Sequence, residues 1–519
     1  MTITERRNRP FKLLTIVFMT LGMMKGVATA DQAEARPNIL FIMSDDHTTQ
    51  AIGAYGGRLA GLNPTPNIDA LARNGMRFER VFCNNSICTP SRASIITGQY
   101  PQANGVLDLN GRIPPERQFL PMEMKKAGYQ TAMIGKWHLT SEPAAFDYYC
   151  VLPGQGKYFD PDFQIRGDKP WPGNVITKNG MHSSDAITDI SLEWLKEGRD
   201  KDKPFFLMHH FKAPHDMFEN AKRYDDYLAD VEIPEPDNLL QPPVGSTGSY
   251  GMGSGLGKKR APWKLSEKLG IDASLEEPAY SKATYQEFLK RYLRCVKGVD
   301  DNIKRLLDAL KESGELDNTI IIYTGDQGYF LGEHDLMDKR WMYEESMRMP
   351  FIVSWPKGMK SGQTNDWLIN NTDFSPTILS LAGVKTTPAY MQGRSFAAAL
   401  QGAEKPADWR EVTYYRYWMH MAHNLAVPAH FGIRSDRYKL VFFYGTDQRG
   451  SEKGRTPAAW EFYDLKDDPN EMRNVYGNPE YKETIEKMRG QLKETRTALG
   501  ETDEKRPAIQ AVIDENWPN

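Results

Sequence analysis

Pro37-Asn-Ile-Leu-Phe-Ile-Met-Ser-Asp-Asp-His47 carries the signature of the architecture. Residues 37–44 are a continuous apolar run of strand length without polar alternation, so both faces of the strand need cover. The run stops at Asp45 and Asp46. A buried parallel strand with that ending delivers its carboxylates to the C-terminal edge of the sheet, where open α/β sheets place ligands. The same grammar recurs three times. Tyr129-Gln-Thr-Ala-Met-Ile-Gly135 runs into Lys136-Trp137-His138, and Pro204-Phe-Phe-Leu-Met208 into His209-His210 and then Ala213-Pro214-His215. Thr319-Ile-Ile-Ile-Tyr-Thr324 runs into Gly325-Asp326-Gln327-Gly328. Four strands that each end in ionisable or metal-binding side chains imply one shared site. Residues 350–354 add a further strand.

Between the strands, residues 68–74, 119–127, 184–197 and 280–313 carry apolar side chains at helical spacing, with Gly75, Gly128 and Gly314 as stops. Alternating strands and helices predict an α/β sandwich, with a large, mostly parallel sheet between helices. After about Gly402 the character changes. Residues 437–444 and 460–465 alternate and are rich in aromatics, which reads as antiparallel strands, and 479–499 reads as a long helix. The expected division is therefore a catalytic domain over 31–402 and a small C-terminal α+β subdomain with an antiparallel sheet over 403–519. Residues 245–257 are glycine-rich, but no apolar strand precedes them and no Gly-Lys-Ser/Thr closes them. They read as a mobile surface loop, not a phosphate cradle.

The chain starts with Arg6, Arg7, Arg9 and Lys12, then the apolar run 13–24, then Ala28-Thr29-Ala30. That order predicts a secretory signal peptide over residues 1–30, exported to the periplasm or beyond. The apolar run is short of the roughly 20 residues a membrane span needs, so no stable span is expected once the leader is cut. Its loss takes five basic and one acidic residue and moves the formal charge from −3 to −7. An acidic product is no nucleic-acid binder by charge. Any anion site must be a local cationic pocket. Four cysteines, at 83, 88, 150 and 295, do not make a disulfide scaffold. A bridge among Cys83, Cys150 and Cys295 is left open.

Asp45, Asp46, Asp326 and Gln327 are all oxygen donors from two strand ends. They suit a hard divalent cation, calcium or magnesium, rather than zinc. The cationic set beside them is Arg92, Lys136, His138, His215 and Lys339. Cys88-Thr-Pro-Ser-Arg92 completes the constellation. Pro90 and Ser91 suit a helix start, which puts Cys88 just before a helix N-terminus where anions are favoured, with Arg92 one turn on.

Cys88-x-Pro90-Ser91-Arg92 followed by Thr97-Gly98 resembles the maturation signature of type I sulfatases, of the alkaline-phosphatase-like superfamily. Asp45-Asp46, Gly135-Lys136-Trp137-His138, Pro214-His215, Gly325-Asp326-Gln327-Gly328 and Asp338-Lys339-Arg340 extend the likeness from Asn38 to about Tyr476. Gln327 departs from the asparagine common in that family. The resemblance implies that Cys88 is oxidised to formylglycine (3-oxoalanine) by a formylglycine-generating enzyme, and that Cys88 joins Asp45, Asp46, Asp326 and Gln327 around calcium, with magnesium second. In that chemistry one hydroxyl of the hydrated aldehyde attacks sulfur. Arg92, Lys136 and Lys339 hold the sulfate oxygens, His215 protonates the leaving oxygen with Lys339 as rival, and His138 is the base that collapses the hemiacetal.

Residues 151–162 and 332–345 are similar to bacterial glycan sulfatases of the N-acetylglucosamine-6-sulfatase kind. They make His334, Asp335, Arg340 and Trp341 candidate sugar contacts, with Trp341 equally a core residue. His420, His423 and His430 are candidates for the pocket rim or for solvated loops. The expected substrate is a sulfated glycan, 6-O-sulfated N-acetylglucosamine among the possibilities. A phosphate or phosphonate ester hydrolase of the same superfamily and an inactive glycan-binding surface protein are the alternatives.

Overall fold

The structure, a computed structural model, describes residues 36–246, 255–258, 261–450 and 454–517. The expected leader and most of the glycine-rich stretch lie outside the described residues. At the two ends of that stretch Ser246 and Leu256 are buried, so its flanks are anchored in the protein, contrary to a wholly surface loop.

Ten strands build the main sheet: β1 (Asn38–Ser44), β2 (Met76–Phe78), β3 (Gln130–Lys136), β4 (Tyr148–Leu152), β5 (Asp162–Ile165), β6 (Val175–Thr177), β7 (Phe205–His210), β8 (Thr319–Gly325), β9 (Phe351–Ser354) and β10 (Gln363–Asn365). Their lateral order is β10-β2-β9-β8-β1-β7-β3-β4-β5-β6. The central run β8-β1-β7-β3-β4 is parallel. The flanks add antiparallel pairs, β8 with β9, β9 with β2, β4 with β5 and β5 with β6. In the register Ser44 lies opposite Gly325, Met43 opposite His210, and Gly135 opposite His210. The four apolar runs are thus adjacent, and their polar ends emerge at one level.

The principal helices are α1 (Pro66–Arg73), α2 (Cys88–Thr97), α3 (Phe119–Lys126), α4 (Ser183–Glu193), α5 (Ala279–Glu312), α6 (Phe374–Leu381), α7 (Lys482–Leu499) and α8 (Pro507–Asn516). Strand β1 explains the sandwich, because successive side chains point to opposite faces. Ile39, Phe41 and Met43 join one core with Ile95 of α2, Leu120 of α3 and Phe374 of α6. Leu40 and Ile42 join the other with Ile68 of α1, Ile187 of α4 and Leu289 of α5. All seven β1 residues are buried, and each large apolar side chain so placed contributes roughly 1.5–3 kcal/mol.

The C-terminal part is a four-stranded antiparallel sheet, β11 (Val412–Tyr417), β12 (His430–Ser435), β13 (Tyr438–Phe443) and β14 (Ala459–Asp464), in that order. Helices α7 and α8 cover it through Met488, Leu492 and Ile509. The sequence reading missed β11, β12 and α8. In β12 the residues His430, Gly432 and Arg434 break the apolar pattern, yet Gly432 is required: a Cβ there would meet the Leu440 carbonyl oxygen at 2.2 Å. All four cysteines are buried and none is disulfide-bonded.

Asp503, between α7 and α8, ties this part together. It accepts from Arg416 Nη2 of β11 at 2.9 Å and from Arg496 Nη2 of α7 at 2.6 Å, fully buried. Asp503→Ala would strand two guanidinium groups without their carboxylate. We expect a loss of about 3–5 kcal/mol, read by urea unfolding; a loss below about 1 kcal/mol would contradict the role.

Candidate active site

Helix α2 begins at Cys88 itself. Ile87 is extended (φ −140°, ψ 134°) and precedes the helix, and Pro90 sits in its first turn. Position 88 is therefore the first helical residue, one place later than expected, among N–H groups without intrahelical acceptors. Its Sγ lies 3.2 Å from Asp45 Oδ1. Burial, with Asp326 and Asp46 adding to it against Lys339 and Arg92, pushes the Cys88 thiol up to about 12. As a thiol it stays protonated at neutral pH and is a poor nucleophile.

The acids from β1 and β8 meet here. Asp45, Asp46 and Asp326 are wholly buried, and one carboxylate oxygen of each lies within 4.8 Å of the others. Gln327 donates its amide to Asp46, while its Oε1 is buried without a hydrogen-bond partner. An orphaned amide oxygen beside three buried carboxylates is a set of hard oxygen donors that fits a divalent cation such as calcium or magnesium.

Two lysines and an arginine compensate these acids, with two histidines beside them. The Lys136 ammonium is bonded to Asp45 and, at 2.5 Å, to Gln155 Oε1. Lys339 Nζ reaches both Asp46 oxygens at 2.6 and 2.7 Å. Burial is the largest influence on Lys339 and lowers its pKa, but Asp46, Cys88 and Asp338 together outweigh it and hold the ammonium well above the usual range. Arg92 grips Asp326 Oδ2 through Nε (3.0 Å) and Nη2 (2.9 Å), and its Nη1 donates to the Lys136 carbonyl at 2.6 Å. It faces Asp326 rather than Cys88. His215 Nε2 lies 3.7 Å from Asp46 Oδ2, and its Nδ1 lies 2.5 Å from Asp216 Oδ1. Burial pushes His215 down to about 3. His138 has a buried Nδ1 without a hydrogen-bond partner. Burial and then Lys136 and Arg92 hold its pKa well below the usual range, so the ring is neutral. Backbone strain collects at this site: Asp46, His138, Asp338 and Arg340 are non-glycine residues at φ 64°, 55°, 76° and 90°.

Cys88, His215, Lys339 and Arg340 line a cavity of about 280 Å³ with Leu109, Gln155, Lys212, Asp216, Trp263, Asp338 and His423. Of the proposed sugar contacts only Arg340 reaches it. It bonds Asp338 Oδ2 at 2.6 Å, Tyr417 Oη at 3.2 Å and His423 Nδ1 at 3.3 Å. Trp341 is a core residue, 1% exposed and stacked on His430. His334 is equally interior, stacked on Tyr343 with its centroid 4.7 Å away and 3.6 Å from Glu345. Asp335 is not on the cavity wall. His423 rims the cavity, while His430 is buried in β12 and His420 is buried against Ala429 N and the Gly454 carbonyl.

Sequence reasoning missed Lys212. It is 5% exposed, and among the described residues no carboxylate lies within ion-pair reach of its ammonium. The Nζ sits 4.7 Å from the centroid of the Tyr158 ring. Its place in Lys212-Ala-Pro-His215, just past β7, was the available signal.

A family model described as Sulfatase matches residues 37–384. The chain belongs to the sulfatase family. It is a sulfuric ester hydrolase, and a second model, N-sulphoglucosamine sulphohydrolase C-terminal, matches residues 332–498 of this sulfatase. The sulfatase is 39% identical to an N-acetylglucosamine-6-O-sulfatase of Bacteroides thetaiotaomicron over 96% of this chain and 93% of that one. It is 28% identical to the N-acetylglucosamine-6-sulfatase of Homo sapiens over 79% of this chain and 72% of that one. Among solved structures it matches one described as in complex with its substrate D-glucosamine-2-N,6-O-disulfate, with a TM-score of 0.80 and 38% identity over 90% of this chain and 99% of that one. The expected sandwich with an added antiparallel sheet is thereby borne out, and so is the sulfatase reading.

Proposed function

We propose that this sulfatase removes sulfate from a sulfated carbohydrate, with 6-O-sulfated glucosamine derivatives the first class to test. Cys88 is formylglycine in the mature enzyme, and Asp45, Asp46, Asp326 and Gln327 hold calcium in preference to magnesium. The reading rests above all on the convergence of three buried carboxylates, an orphaned amide oxygen and position 88 beside one cationic cavity. The named substrates of the similar proteins support the sugar class. The leader pattern supports export and maturation by a formylglycine-generating enzyme, with the catalytic domain over 31–402 and the subdomain over 403–519. Among the described residues no helix is long and apolar enough to cross a membrane.

When bound, the cation supplies Lewis-acid polarisation at the sulfate and at position 88. The hydrated aldehyde supplies two hydroxyls on one carbon, one to displace the sugar oxygen and one whose deprotonation releases sulfate. The side chains do the rest. Lys136 and Lys339, themselves buried, present ammonium groups to the charge that builds on the sulfate oxygens. Arg92 holds Asp326 in position. His215 is the assigned donor to the departing sugar oxygen, because Asp216 on its Nδ1 is placed to stabilise the ring as it carries a proton, with Lys339 the alternative. His138, neutral and with a free Nδ1 lone pair or proton site, is the assigned base.

Lys212 extends this set. A buried ammonium without a carboxylate partner costs stability unless an anion joins it. We assign it to the bound sulfate ester. Lys212→Met should raise the thermal unfolding midpoint while lowering kcat/KM about tenfold or more, the equivalent of about 1.4 kcal/mol. Unchanged kcat/KM, or a lower midpoint, would contradict the assignment. The function itself is tested by sulfate release from a panel of defined sulfated saccharides beside matched phosphate esters. Sulfate release without phosphate release is expected, and preference for phosphate would overturn the reading.

A further inference from the structure

A second cavity, of about 1140 Å³, lies against the first, and His423 lines both. Its walls come from residues 102–110, from the connection between β11 and β12, and from residues 447–449 and 499–506. The connection that carries His423 is held in an unusual conformation. Met421, His423, Asn424 and Ala426 take φ values of 51°, 59°, 59° and 53°, left-handed at four non-glycine positions. Such backbone persists only where its surroundings impose it, and it gathers at ligand sites.

Size and charge assign different work to the two cavities. Small-molecule pockets run from roughly 300 to 1,000 Å³. The first cavity, at about 280 Å³, takes little more than one sugar with its sulfate, whereas the second exceeds that range. The first is fed by the unpaired Lys212 ammonium beside Lys339 and Arg340. The second is balanced: Arg449, Lys505 and Arg506 are matched by Asp108, Asp447 and Glu504, with amide side chains such as Gln448 between them. Among the described residues Trp418 is its aromatic lining, and that ring lies under the guanidinium groups of Arg416 (3.4 Å) and Arg506 (4.7 Å), not open as a platform. A balanced wall of donors and acceptors matches hydroxyl groups. It gives no net pull on a polyanion.

Resting on the sulfatase reading above, we propose that the second cavity binds the sugars next to the sulfated one, so that the enzyme works on chains. It recognises those neighbours by their hydroxyls, not by further sulfates.

The test uses Cys88→Ala protein, which holds ligands without turning them over. The probes are N-acetylglucosamine 6-sulfate, a tetrasaccharide ending in that sugar with its other residues unsulfated, and the same tetrasaccharide fully sulfated. Calorimetric titration should give the unsulfated-chain tetrasaccharide a Kd about tenfold or more below that of the monosaccharide. Gln448 and Lys505 are exposed, so their substitution does not threaten folding. The added changes Gln448→Ala and Lys505→Ala should shrink the advantage to about threefold or less. Equal Kd values for the first two probes, no binding of either, an undiminished advantage in the triple variant, or tighter binding of the fully sulfated chain would each overturn the proposal. Sulfate release by the wild-type enzyme from all three probes is followed in parallel. Its absence alongside a retained chain preference would sink the catalytic reading and leave the cavity assignment standing.

Discussion

Cys88→Ala enzyme is expected to release no sulfate above background, a loss of roughly 10⁴-fold or more, as when a nucleophile is removed from otherwise intact machinery. Cys83→Ala should keep turnover within about threefold and lose about 1 kcal/mol of stability to a small cavity. The contrast comes from placement. Cys83 is wholly buried in one of the two sheet-covering cores, and its N–H is bonded to the Met347 carbonyl. Cys88 lies on the cavity wall at the head of α2, beside Asp45. Cys88→Ser sharpens the test. It restores one oxygen but not a second hydroxyl on the same carbon, so it is expected to give at most one turnover per chain. Equal loss in Cys83→Ala and Cys88→Ala would remove position 88 from its assigned role.

Removal of divalent cations is the second large effect. Dialysis against a chelator should lower turnover by about 100-fold or more, and added calcium should restore it, because Asp45, Asp46 and Asp326 crowd three carboxylate oxygens within 4.8 Å. Folding gives an independent readout. A ligand held by the folded chain alone adds about 2.7 kcal/mol at 100 times its Kd, so calcium should raise the unfolding midpoint of the stripped protein. Asp326→Ala should lose both responses. Full turnover in a metal-free preparation, or a midpoint indifferent to calcium, would contradict the donor set.

The central sheet and its acidic edge were legible because the physics is local. A parallel strand covered on both faces must be apolar throughout, so 37–44 and 319–324 announce themselves, and the residue that breaks the run marks the sheet edge. Apart from β9, the flanks of the sheet were not legible, since β5, β6 and β10 are three or four residues long and largely outside the core. Nor was β12, whose glycine serves a close strand approach. In the site, the acids and histidines next to strand ends were found from the apolar pattern and Cys88, Arg92 and Lys339 from the family motifs, whereas Gln155 and Lys212 were not. Gln155, bonded to Lys136, comes from the loop after β4. Lys212 belongs to a found segment but was passed over because an isolated lysine usually lies in solvent. His334 erred the other way, and for Trp341 the core alternative held. They neighbour Lys339 in sequence, but their loop turns them inward against Tyr343 and His430.

Everything proposed for this site hangs on a rebuilt side chain at position 88. The decisive measurement is the mass of the proteolytic peptide spanning residues 81–92, taken from active enzyme made in its native host. The expected peptide has its thiol and one hydrogen replaced by a single oxygen, and it reacts with a hydrazide probe. An unaltered cysteine peptide from protein that releases sulfate at its full rate would rule that side chain out.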